Sequence, residues 1–293
     1  MNIQRFTQKS IEAVNTCEKL ALEYGNQELE QEHLLYALLT IDDSLIFGPK
    51  NGLFEIESTI KKIVKSEPNA LLGFQRGLEL VSTNNILMPY IYNLTASTVL
   101  SHHTRKTIIA SVEFALKKGA DCVACHINFS SQYESEMIHN FAMISQECDR
   151  FGMPLLAIAY PRGEKNGHDY NYEDLKEENV EKYTELIAHV VRVSSELGAD
   201  IIKTNYTGTV ESFKRVITAA NEKPVVIAGG AKLPIADSLK MVEDAMSAGA
   251  SGISYGRNVF NANNIELYLS AVKDIIFHEK KYQDCLNQFV ERI

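Results

Sequence analysis

From Phe47 onward, short apolar runs alternate with longer stretches whose apolar residues recur at helical spacing. The runs are NALLGF, ILMPYIYNL, DCVACHINF, MPLLAIAY, ADIIKTNY, PVVIAGG and ASGISYG, and they read as seven strands. The stretches between them include KTIIASVEFALKKG, YESEMIHNFAMISQECDRFG and YEDLKEENVEKYTELIAHVVRVSSELG, each read as one amphipathic helix. Lys or Arg close before a Gly ends two of them, which is a good stop signal. Repeated βα units predict a parallel sheet with its helices outside.

Seven strands leave a barrel one short, whereas an open doubly wound sheet would be expected to show a GxGxxG turn, and the chain has none. An eighth strand is available in YALLTID, residues 36–42, and the resulting span suits a (β/α)8 TIM barrel of about 250 residues. The same residues close the segment EQEHLLYALL, which also has helical character and no Gly or Pro to stop it. The barrel's need for an eighth strand decides for an extended 36–42, with the preceding helix ending before it. The expected organisation is a helical extension over 1–35 and a barrel over 36–293. The crossover QRGLELVSTNN, between the second and third strands, is too short for a full helix. No tandem repeat, low-complexity tract or Pro/Gly-rich linker marks a further domain.

Composition narrows the function classes. The 293 residues are 45% hydrophobic and 23% charged, an ordinary globular balance. A net charge of -9 argues against nucleic acid as a partner, although it leaves room for a local basic pocket. The N-terminus lacks the apolar core of a signal peptide and no run approaches a membrane span, so a cytoplasmic protein with no membrane partner is expected. Five cysteines, an odd number, do not form a disulfide framework. CVACH, Cys122 to His126, spells a haem-attachment motif, but strand alternation would send Cys122 and Cys125 to opposite faces. His102, His103 and His126 lack carboxylate or cysteine partners at ligand spacing, so no metal is expected.

In a parallel barrel, reactive groups lie at the C-terminal ends of the strands. ADIIKTNYTG places Lys203 on one strand face with Ile201 and Asn205. If that face points inward, desolvation lowers the pKa and supplies a neutral amine able to attack a carbonyl; the alternative is a lysine snorkelling to solvent. Tyr160, just before the Pro of AYPRG, sits where a phenol can transfer a proton, or where a rim aromatic simply packs. Loops after the seventh and eighth strands form the recurring phosphate site of such barrels, which singles out Gly229, Gly230, Gly256 and Arg257, with Lys232 as a supporting cation.

DIIKTNYTG, AYPRG, VIAGGAK and GISYGRNVF, in this order and spacing, resemble the class I aldolases of the archaeal and bacterial fructose-bisphosphate aldolase type. That family also includes aminodideoxyheptulosonate synthases and autoinducer-2 thiolases, and the retained YPRG tilts the reading away from the thiolases. The resemblance implies Lys203 as the Schiff-base residue, Tyr160 as the proton-transfer residue, phosphate held by the glycine loops and Arg257, and a homo-oligomer. It also implies a catalytic role for Asp42, because DDSLIFGP keeps the family's spacing from that aspartate to Gly48 and Pro49, while Asp43 and Ser44 replace the usual His and Gly. Residues 1–46 are similar to the start of the N-terminal domain of Clp-type disaggregases, yet no Walker A pattern follows, so unfoldase activity is not expected. The expected function is cleavage of a phosphorylated ketose, most simply fructose 1,6-bisphosphate, with no cofactor beyond the covalent adduct on Lys203. A related synthase, transaldolase or thiolase using the same lysine is one alternative. A catalytically silent scaffold, should the Clp-like graft spoil the first strand, is another.

Overall fold

The computed structural model describes residues 71–73, 90–98 and 103–290, all within the compact unit Ile63–Ile293. The 36–42 strand, the helical extension and Asp42 lie outside the described residues. The chain runs β1 (Leu71–Gly73), β2 (Tyr90–Asn93), β3 (Thr95–Ala96), β4 (Thr107–Ile108), α1 (Val112–Lys117), β5 (Cys122–Phe129), α2 (Glu134–Phe151) and β6 (Leu155–Pro161). It continues through β7 (Gly163–Lys165), β8 (His168–Tyr170), α3 (Glu173–Glu178), α4 (Val180–Glu196), β9 (Ile201–Thr204), α5 (Val210–Ala219) and β10 (Val225–Ala228). It closes with α6 (Ile235–Ser247), β11 (Gly252–Ser254), α7 (Arg257–Phe260), α8 (Ile265–His278) and α9 (Tyr282–Val290).

All seven expected runs are strands, and they form one sheet in the order β1-β2-β5-β6-β9-β10-β11 with parallel pairing throughout. Sequence order and spatial order coincide, as winding (β/α) units around a barrel requires. Alternation sorts the strand residues into two sets. Val123, Cys125 and Ile127 of β5, Ala157 of β6, Ile202 of β9 and Ile227 of β10 share one core with helix residues such as Phe141, Ile187 and Phe213. The intervening residues of the same strands face the other way, and they include His126, Tyr160 and Lys203. Each fully buried Phe or Ile in the helix-packed layer contributes about 1.5–3 kcal/mol, so the sheet's helix-facing side is fixed by hydrophobic burial.

Two expected helices are divided. KTIIASVEFALKKG is helical only over Val112–Lys117, because the Ser111 side chain accepts from Phe114 N as N-cap, and β-branched Thr107–Ile108 pairs antiparallel with Thr95–Ala96. The long stretch from Tyr172 breaks at Asn179, which ends α3 and then caps α4 by accepting from Lys182 N at 3.0 Å. The expected helix over YESEMIHNFAMISQECDRFG holds as Glu134–Phe151, stopped by left-handed Gly152.

Beyond the main sheet, β7 and β8 form an antiparallel hairpin directly after Tyr160 and Pro161. Two contacts fasten it to the segment before β4: His103 N donates to Asp169 Oδ2 at 2.8 Å, and the Thr104 hydroxyl donates to Glu164 Oε1 at 2.7 Å.

Candidate active site

Strand register assembles the site. His126, Ile158, Lys203 and Val226 are successive Cα partners across β5, β6, β9 and β10, so their side chains leave the sheet on the same face. One pleat nearer the strands' C-terminal ends lies a second row, in which Asn128 pairs with Tyr160 and Ala228 with Ser254. The structure therefore brings Lys203 and Tyr160 to one face of neighbouring strands, a row apart.

Lys203 is flanked in its row by buried Ile158 and Val226. Among the described residues no carboxylate or carbonyl is bonded to its ammonium. Burial favours the neutral amine, and the Lys203 pKa is brought down to about 8. Tyr160 moves the other way. Burial raises its pKa, only partly opposed by the Arg162 guanidinium, which lies 5.7 Å from the ring centroid. The phenol thus stays protonated at neutral pH and can act as a donor.

His126 stacks edge-on against Tyr160 with ring centroids 5.3 Å apart. Its Nε2 lies 2.9 Å from Asn128 Oδ1, while the Asn128 amide donates to the carbonyls of His103 and Thr104 at 2.9 and 3.1 Å. Because both carbonyls need the Asn128 NH2, its oxygen must face the imidazole, and His126 therefore carries its proton on Nε2. Burial, followed by the nearby Lys106 and Arg162 charges, holds the His126 pKa well down, so the ring is neutral. It is a packed, hydrogen-bonded histidine. Among the described residues, no group of His, Cys, Asp or Glu has a metal-binding arrangement. Cys122 and Cys125 are buried free thiols whose pKa values are raised by burial.

The glycine loops follow adjacent strands β10 and β11. Gly230, Lys232, Gly256 and Arg257 are exposed at the rim, and Gly229 is buried. Asn258 ties the two loops together: its amide donates to Gly229 O at 2.7 Å, and its oxygen accepts from Leu233 N at 2.8 Å. A Cβ on Gly229 would meet Tyr255 Cδ1 at 2.9 Å and Asn258 Nδ2 at 3.1 Å, so packing alone already demands glycine there. Gly230, at φ +60°, turns the chain at the strand's exit.

Sequence reasoning passed over Lys106, Asn128 and Asn258, and it left Arg162 without a role inside YPRG. Asn128 was findable, since it stands two residues after His126 on the same strand face. Lys106 carried no local signal.

The described residues contain no helix long and apolar enough to cross a membrane. The DeoC/LacD family aldolase profile matches residues 36–262, and the Clp repeat (R) N-terminal domain profile matches residues 5–48, so the two overlap over 36–48. The chain is 40% identical over 227 residues to a 2-amino-3,7-dideoxy-D-threo-hept-6-ulosonate synthase of Halobacterium salinarum, covering 76% of this chain and 80% of the relative. It is 32% identical over 246 residues to the 2-amino-4,5-dihydroxy-6-oxo-7-(phosphonooxy)heptanoate synthase of Streptomyces griseus, covering 82% and 84% of the two chains. A similar solved structure is an archaeal fructose-1,6-bisphosphate aldolase with its catalytic Lys covalently bound to the carbinolamine intermediate of the substrate, with 27% identity, a TM-score of 0.63 and coverage of 75% and 83%. The parallel sheet in (β/α)8 order and these matches together establish that the chain belongs to the DeoC/LacD family of aldolases and also carries a Clp repeat N-terminal sequence over residues 5–48.

Proposed function

We propose that this aldolase works through a Schiff base on Lys203, and that it joins a phosphorylated ketone to an aldehyde in the manner of an aminoheptulosonate synthase. The observation that carries the reading is a desolvated lysine on the same sheet face as a protonated tyrosine. The neutral Lys203 amine attacks the ketone carbon to give a carbinolamine, and loss of water leaves an iminium. The iminium draws off the electrons of the breaking carbon–carbon bond or, in the forward direction, loses an α proton to give the enamine that attacks the aldehyde. Tyr160 returns a proton to the new alkoxide. Asp42 orients or protonates the carbinolamine in this scheme, and Gly229, Gly230, Lys232, Gly256 and Arg257 hold the ketone's phosphate.

The synthase reading is favoured over the expected fructose-bisphosphate cleavage by identity: 40% to the Halobacterium synthase against 27% to the archaeal fructose-1,6-bisphosphate aldolase. A 4,5-dihydroxy-6-oxo-heptanoate has its aldol bond between C4 and C5. Disconnecting that bond leaves a three-carbon ketone and a four-carbon amino-acid aldehyde. With phosphate on C7, as in the name of the Streptomyces relative's product, the ketone fragment is dihydroxyacetone phosphate, whereas the 3,7-dideoxy product named for the Halobacterium relative has no oxygen on C7. Fructose 1,6-bisphosphate cleavage remains the second reading, supported by the structural likeness, and it uses the same ketone with a different aldehyde.

The domain proposal is an extension over 1–35 and an aldolase barrel over 36–293. The test is borohydride reduction of the full-length protein with dihydroxyacetone phosphate, followed by peptide mapping. An adduct on Lys203 supports the Schiff base; its absence in a folded protein favours a silent scaffold. Steady-state rates with 2-amino-4-oxobutanoate and with glyceraldehyde 3-phosphate then separate synthase from fructose-bisphosphate aldolase.

A further inference from the structure

His126 has one ring nitrogen to spare. Its Nε2 carries the proton and donates it to Asn128 Oδ1 at 2.9 Å, so Nδ1 holds a lone pair and acts only as an acceptor. Among the described residues no hydrogen bond reaches Nδ1. The polar side-chain atoms sealed inside without a partner are, among the described residues, the hydroxyls of Thr204, Tyr206 and Tyr255. Nδ1 is not one of them: the ring is partly exposed, and it leaves β5 on the face it shares with Lys203.

The ring is held in place and kept neutral. His126 N donates to Thr95 Oγ1 at 2.9 Å, and that hydroxyl donates onward to Asn93 Oδ1 at 3.0 Å. Edge-on contact with Tyr160, at 5.3 Å between ring centroids, fixes the ring from the neighbouring strand. Burial first, and then the Lys106 and Arg162 charges, disfavour the imidazolium. A neutral acceptor of fixed orientation suits a hydroxyl. It has no charge to offer a phosphate or carboxylate, and no free N–H to offer a carbonyl oxygen.

In the proposed reaction, consecutive carbons of the product meet this face. C6 is bonded to Lys203, the oxygen on C4 takes its proton from Tyr160, and C5 stands between them with a hydroxyl of its own. His126 shares a row with Lys203 and touches Tyr160, so it flanks the position between the two. Its neighbours are already engaged. Asn128, next along β5 on the same face, has its amide on two carbonyls and its oxygen on His126. Asn205, two residues beyond Lys203, turns its amide to the Tyr183 hydroxyl at 3.3 Å.

Resting on the proposed Schiff-base reading, we infer that His126 Nδ1 accepts the hydrogen bond of the hydroxyl on the ketone's attacking carbon, and so selects hydroxyketones over ketones that lack this group. His126 touches the substrate without exchanging a proton with it, and its role is specificity.

The test follows borohydride trapping on Lys203 of the full-length protein against ketone concentration, with dihydroxyacetone phosphate and with hydroxyacetone phosphate, which lacks the hydroxyl. An acceptor left without its donor predicts that wild type half-saturates at a roughly 10- to 100-fold lower concentration of dihydroxyacetone phosphate. Two variants separate the reading of a hydroxyl from a merely structural role. His126→Gln sets its amide nitrogen where Nε2 stood and can keep the bond to Asn128, but it has nothing in the place of Nδ1. His126→Asn does the reverse, with its Oδ1 in the place of Nδ1. The Gln variant should lose most of the preference for dihydroxyacetone phosphate, and the Asn variant should keep most of it. Equal half-saturation by the two ketones in wild type, a full preference in His126→Gln, or equal loss in both variants overturns the inference. A wild type that traps neither ketone overturns the Schiff-base reading instead. A His126→Gln protein that melts early leaves the decision to His126→Asn, where a kept preference supports the inference and a lost one opposes it.

Discussion

The depressed Lys203 pKa makes the most demanding prediction. At pH 7 a lysine titrating at its ordinary 10.5 is neutral about once in 3000 molecules, whereas one titrating near 8 is neutral about once in 11, a gain of ~300-fold in attacking amine. The cause is the dry row between Ile158 and Val226, so Val226→Asp should undo it. Neighbouring strands are about 4.8 Å apart, and a carboxylate roughly 5–6 Å from the ammonium at an effective dielectric of ~20 favours the charged form by ~3 kcal/mol, or about 2 pKa units. The assay is the rate of borohydride trapping with dihydroxyacetone phosphate as a function of pH. The wild-type rate should rise with a midpoint near 8. In Val226→Asp the midpoint should move up toward 10, and trapping at pH 7 should slow by ~100-fold. Val226→Asn introduces similar bulk and polarity without the charge and should shift the midpoint much less. A wild-type midpoint near 10.5, or identical profiles for the two variants, would refute the desolvation argument.

Other outcomes follow from the same geometry. Lys203→Met should stabilise the protein at pH 7 by roughly 3 kcal/mol at most, since it removes the cost of burying a cation. Lys203 has a folded pKa below its unfolded one, so that cost is fully present below pH 8 and fades as pH rises toward 10.5; the Met variant's advantage in thermal melts should shrink over that window. Tyr160→Phe should keep borohydride trapping of the ketone but lower the aldol rate 10²- to 10⁴-fold, as about that much is supplied by a positioned proton donor, and equal loss of both would count against its role. Asn128→Ala leaves two carbonyls and the His126 N–H unsatisfied in a buried place, and chemical denaturation should show a loss of about 1–3 kcal/mol or more. Gly229→Ala should push Tyr255 or Asn258 aside and raise KM for dihydroxyacetone phosphate with little change in trapping at saturation.

The sequence by itself determined the seven described strands, their parallel order and the placement of Lys203 and Tyr160 at strand ends, because short apolar runs and helical periods are local signals. It also exposed the tension between helix and strand over residues 36–42, inside the stretch 36–48 that both family profiles claim. Tertiary structure decided the rest. In ADIIKTNY the residues on both faces of the strand are largely buried, so alternation alone does not say which set faces the helices; the packing of Ile202 against the helix layer settles that Lys203 faces away from it. Thr107 and Ile108 left the predicted helix because a strand partner, distant in local pattern though near in space, offered them backbone hydrogen bonds. Lys106 and Arg162 are 56 positions apart, and no periodicity links them. Beyond burial, the Arg162 charge nevertheless helps push the Lys106 pKa down, and a buried charge acquires its chemistry from neighbours that only the folded chain supplies.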